Sequence, residues 1–118
     1  MTLSNFEVVH ERGSSGAWGF ADPLIVGFDG KQPVLAFIAR EALADHFGVP
    51  YRLRTLQEWN LVVESHRAAF EKIIVAKYER GERSTYNAGG ESYPRVDVTF
   101  EDIERSGEKL TDDVLKVM

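Results

Sequence analysis

"TLQEWNLVVESHRAAFEKIIVAKYER" occupies residues 55–80 of the chain. Within it Leu56, Trp59, Val63, His66, Phe70, Ile73 and Ile74 recur at three- and four-residue steps, the spacing that lines one face of an α-helix. Thr55 can cap the first turn, Glu58 completes a capping box with it, and Gly81 supplies a stop. The stretch predicts one long helix over 55–80. An apolar stripe of that length has to be buried against another layer, and the nature of that layer decides the fold.

The candidates for it flank the helix. "LIVGF" (24–28) and "PVLAFI" (33–38) are apolar runs separated by "DGKQ", which predicts a hairpin over 24–38. Its loop reads as longer than the tight two-residue type. Pro33 lacks an amide hydrogen and should open its strand or lie at an edge. "RVDVTF" (95–100) alternates Val96, Val98 and Phe100 with Asp97 and Thr99, the pattern of a strand with one wet face. Residues 6–10 add a weaker strand. "AREALADHFG" (39–48) predicts a short helix over 40–47, stopped by Gly48 and Pro50. Residues 12–19 and 81–93 are polar and glycine-rich and read as loops, with 49–54 a connector. Thr99 with Asp102, near the end of the 95–100 strand, or Thr111 with Val114 in "TDDVLKVM", could begin short helical turns.

This order predicts an α+β fold. A small antiparallel sheet (hairpin 24–38, strand 95–100, with 6–10) packs against a short helix 40–47 and a long helix 55–80. At 118 residues the chain suits one domain over 1–118, with 1–20 and 104–118 flexible or peripheral.

Composition narrows the function. Cysteine is absent, which removes disulfide scaffolds, thiolate metal sites and cysteine nucleophiles. No apolar run approaches the length of a membrane span, and the start of the chain has no signal-peptide pattern, so a cytoplasmic location is expected. The net charge of −5 disfavours nucleic acid, which selects for basic surfaces. Arg52, Arg54, Arg83 and Arg95 lie near Tyr51, Tyr86 and Tyr93, as single strands would want, but Glu58, Glu64, Glu82 and Glu91 are interleaved with them. "GSSG" (13–16) lacks the lysine of a phosphate-binding loop, and no dinucleotide or nucleophile-elbow motif occurs.

Two groups of side chains merit weighing as sites. Arg40, Glu41 and His46 fall on the short helix, but His46 diverges by about 100° from its neighbour Asp45 and cannot share a ligand set with the carboxylates. Glu41 sits in the first turn, where an acid favours the helix dipole. His66, at the centre of the long helix's apolar stripe, is either a hydrogen-bonded core histidine or the polar lining of a pocket completed by Arg67, Lys77 and Tyr78. Arg67 should pair with Glu64 or Glu71. No metal, cofactor or catalytic set is expected.

"FIAREALADHFG", "ESHRAAFEKIIVAKYERG" and "VDVTFEDI" together resemble the bacterial domain-of-unknown-function family numbered 1488. Arg40, Glu41, Ala42 and Leu43 match its helix start, and Arg67, Lys77, Tyr78 and Gly81 match its later helix, over about residues 24–103. Ala39 stands where that family tends to have a hydroxyl residue, and His66 where it tends to have Asn. The resemblance implies an α+β fold and a bacterial cytoplasmic origin, and brings no activity or cofactor. The expectation is a non-enzymatic interaction or accessory module, with homodimerisation through helix faces or a sheet edge. The alternative is a small-ligand-binding or hydrolase-like domain with a pocket near His66.

Overall fold

The computed structural model describes residues 3–9, 22–48, 55–107 and 110. The loop at 12–19, the connector 49–54, the Thr111 helix start and the last residue of the expected 6–10 strand lie outside the described residues. Among the described residues five strands and four helices run in the order β1 (Ser4–Val9), β2 (Leu24–Asp29), β3 (Gln32–Ile38), α1 (Arg40–Phe47), α2 (Leu56–Ser65), α3 (Arg67–Glu79), β4 (Ser84–Ala88), β5 (Glu91–Val98) and α4 (Phe100–Ser106). The α+β class is as the sequence predicts. None of the described helices is long and apolar enough to cross a membrane.

The hairpin β2–β3 is tighter than its sequence suggests. Asp29 pairs with Gln32, so only Gly30 and Lys31 form the turn. Gly30 sits at φ 65, a conformation that lacks steric cost only for glycine. Pro33 pairs with Phe28, whereas β5 joins β3 only from Leu35 onward. The proline therefore lies beyond the reach of the strand on that side, where its missing donor costs nothing.

The residue before helix α1, Ala39, has no side chain able to cap it. Asp22 substitutes from a distance: its Oδ1 accepts the Arg40 amide at 2.9 Å. Gly48 closes the helix in the left-handed conformation at φ 71.

The long helix over 55–80 is instead two helices. Thr55 and Glu58 form the predicted capping box at the start of α2, but His66 leaves helical geometry at φ −117, ψ 27. Ser65 Oγ donates to the Val62 carbonyl at 2.9 Å, a local competitor of the type that bends helices. Length supplies the larger reason. Twenty-six helical residues would extend about 39 Å, while the seven-residue β3 extends about 23 Å. Broken at His66, both halves stay over the sheet, with α2 against β1 and α3 against β5.

The region read as a loop, 81–93, contains β4 and the start of β5. Gly89 (φ 59) and Gly90 (φ 81) form a two-residue turn with both central φ positive, closed by Ala88 and Glu91. At its other end β5 stops at Val98 rather than 100. Thr99 caps α4 in a box with Asp102, which makes Phe100 the first helical residue, 38% exposed and no part of the core.

The sheet order is β1-β2-β3-β5-β4, and β3 with β5 is parallel. It is a five-stranded mixed sheet, larger than the small antiparallel one expected from the hairpin. A parallel neighbour requires a long crossover, and α1, α2, α3 and β4 lie within it. On one face Ile25, Val34, Ala36, Ile38, Val96 and Val98 are buried under Leu43, Trp59, Val62, Val63, Phe70, Ile74 and Ile103. Strand alternation puts Leu24, Val26, Phe28, Leu35, Phe37, Tyr86, Tyr93 and Arg95 on the other face.

Candidate functional site

Lys77 and Tyr78 are adjacent on α3, so helical geometry sends them about 100° apart to different neighbours. Lys77, only 12% exposed at its side chain, donates to the Asp97 carbonyl at 2.7 Å and to Asp102 Oδ2 at 2.8 Å. The same Asp102 oxygen accepts the Thr99 amide at 2.8 Å and the Thr99 hydroxyl at 2.9 Å. Burial by itself would raise the Asp102 pKa, but hydrogen bonds from Lys77 and Thr99, with the Lys77 charge, carry it below its ordinary value. Tyr78 donates from its hydroxyl to Asp29 Oδ2 at 2.6 Å. Its pKa is raised by burial first and by the Asp29 carboxylate second, against the opposing charge of Arg83. Arg83 lies over the Tyr78 ring at 3.9 Å.

These contacts join the end of β2, α3, β5 and α4 at one corner of the molecule. A polar cavity of 230 Å³ lies beside them, lined by Lys77, Glu82, Arg83, Ser84, Arg95 and Asp97. Of the four residues proposed for a pocket, Lys77 alone lines it. His66 is half-buried at the junction of α2 and α3, where its carbonyl accepts the Ala69 and Phe70 amides and so starts the second helix. It is eleven residues from Lys77, about 16 Å along the helix. Arg67 pairs with Glu71 at 3.0 Å and Glu64 at 3.5 Å, the surface pairing its spacing predicts.

The second predicted group is also spread out. Arg40 Nε is 3.4 Å from Asp22, and Glu41 is exposed in the first turn of α1. His46 Nδ1 is 2.7 Å from Glu104 Oε2 and links α1 to α4. Its ring meets Phe47 edge-on at 5.2 Å, and Phe47 stacks on Trp59 at 6.4 Å. Among the described residues no three His, Asp or Glu side chains converge as a metal site. The corner depends on Asp29 and Asp102, which the sequence pattern does not connect to α3. The signal available was the demand of a lysine on a half-apolar helix for a carboxylate partner.

Beyond this corner the sheet presents two unlike edges. In β1 the register to β2 shifts between Ser4 and Glu7, with Asn5 at φ 54. That bulge blunts the edge against further pairing. β4 pairs with β5 through Ser84–Arg95, Thr85–Pro94, Tyr86–Tyr93, Asn87–Ser92 and Ala88–Glu91 without a shift. A two-residue hairpin closes on a hydrogen-bonded pair, so Ala88–Glu91, Tyr86–Tyr93 and Ser84–Arg95 are of that kind. Thr85–Pro94 is then a non-hydrogen-bonded pair, as the donorless proline requires. The backbone amides and carbonyls of Thr85 and Asn87 consequently face outward. Next to this edge, on the sheet face opposite the helices, the Phe37 and Tyr86 rings lie 5.6 Å apart, with the Arg95 guanidinium 4.3 Å from the Phe37 centroid and 5.8 Å from that of Tyr86.

Compared with known proteins, the chain matches no family model, no curated protein and no solved structure.

Proposed function

We propose that the protein is a non-enzymatic interaction module that homodimerises by joining its β4 edge to that of a second copy. The observation that carries this reading is the contrast between the edges: β1 is bulged, while β4 is regular and carries outward-facing Thr85 and Asn87 backbone groups. Native edges are usually blunted by charge, proline or a bulge, and "STYNA" has none of these within the strand. In a chain of net charge −5 an uncharged strand is also where two copies meet with least repulsion. A two-fold axis through Tyr86 sets Thr85 against the partner's Asn87 and brings the two tyrosines face to face. The Phe37–Tyr86–Arg95 cluster then continues across the interface.

Membership of family 1488, with a bacterial cytoplasmic origin, is proposed on the same footing. It is supported by Arg40 to Leu43 opening α1 and by Lys77, Tyr78 and Gly81 ending α3.

Light scattering on the size-exclusion peak tests the dimer. The wild type should run as a dimer and Thr85→Lys as a monomer with unchanged far-UV circular dichroism. A strictly monomeric wild type overturns the proposal. A dimer that Thr85→Lys leaves intact removes β4 as the interface.

A further inference from the structure

A cleft of 260 Å³ separates α3 from α4, and its charge differs from that of the rest of the chain. Lys72, Ala76 and Arg80 succeed one another at four-residue steps, so they share one face of α3, with the small alanine leaving a notch between two cations. Across the notch stands Arg105, in the last turn of α4. The one carboxylate in the lining is Asp102, whose charge is already met by Lys77. Arg80 gives its Nε–H to Glu82, which leaves the terminal fork of its guanidinium unspent. Arg105 makes no ion pair among the described residues. Ile73 and Ala76 supply an apolar wall.

Arg80 and Arg105 set two guanidinium groups on facing walls of the notch, a local concentration of positive charge in a chain whose net charge is −5. We propose that this cleft is a binding site for a small, doubly charged oxyanion, a phosphate ester or a dicarboxylate, gripped between the forks of Arg80 and Arg105 with Lys72 at the rim. A guanidinium fork matches either group by parallel hydrogen bonds. The volume lies just below the roughly 300 Å³ at which pockets for larger ligands begin, which selects a compact anion over a nucleotide. The site is independent of the sheet edge, so it stands or falls apart from dimerisation.

Amide chemical shifts of the full chain, titrated with inorganic phosphate and separately with succinate, test this at ionic strength held constant with chloride. Saturable shifts centred on Ala76, Arg80, Arg105 and Ser106 are expected with at least one of the two, and the better binder identifies the anion class. Arg105→Gln should weaken that affinity about tenfold, the worth of a charge-assisted hydrogen bond. Lys72→Gln, a second exposed position, should weaken it less. Shifts that never saturate, or that chloride reproduces, overturn the site. So does saturable binding that neither variant alters.

Discussion

The two ends of α3 are held by different physics. At its N-terminal end Arg67 bridges Glu64 and Glu71 on the surface, and His66 interrupts the backbone. At its C-terminal end Lys77 and Tyr78 reach inward to Asp102, the Asp97 carbonyl and Asp29. The charges at the first end stay in water and can be exchanged for solvent at little loss. Those at the second are largely out of water, so each depends on its partner. Similar residue types thus have unequal weight, and the difference is burial rather than charge.

The comparison breaks most clearly at Asp102. Asp102→Ala leaves the Lys77 ammonium facing a carbonyl alone and removes the partner of the Thr99 amide. It should cost about 3 kcal/mol, the scale of a buried pair that loses one member, measured by urea denaturation. The pH dependence has a definite sign. Because the folded-state pKa of Asp102 is depressed, its contribution is whole above the ordinary carboxylate value near 4 and is lost as pH falls through the lower folded value. The alanine variant should therefore show a flatter stability profile over that acid range, and an unchanged profile would sink the assignment.

Tyr78→Phe sharpens the comparison with a smaller change. It keeps the buried ring under Arg83 but deprives Asp29 of its donor, and should cost roughly 1–2 kcal/mol. The wild-type advantage over this variant should be complete below the ordinary tyrosine value near 10 and fade as pH rises above it, since the folded-state pKa is raised. At the opposite end Arg67→Ala is the control. An exposed pair at helical spacing contributes about 0.3–0.5 kcal/mol, and salt should erase even that. A loss from Arg67→Ala as large as from Tyr78→Phe would mean that the two ends are not distinguished by burial.

How much of this was legible depended on how local the cause was. Helix 40–47, the capping box at Thr55 and the hairpin between 24 and 38 follow from neighbours within a few residues, and all three stand in the structure. The hairpin at β4–β5 had a local signal too. Gly89 and Gly90 are a two-residue turn between short alternating runs, masked by the polarity of a strand lying at the sheet edge. The end of β5 was half legible: Phe100 continues the alternation by residue type and so reads as strand, while Thr99 with Asp102 is the local signal for the helical turn that starts there. The corner at Lys77 was half legible. Its helix residues could be named, but Asp29 and Asp102 lie 49 and 25 positions away from their partners.

By itself the sequence determined the period of each element, its caps and its turn chemistry, because those are settled by backbone sterics and hydrogen bonds among near neighbours. Tertiary structure alone decided the break at His66, the parallel seat of β5 beside β3, and which carboxylate meets which cation. Each depends on the length of one layer against another, or on side chains that meet only after the chain has crossed the sheet, and neither leaves a trace in local spacing.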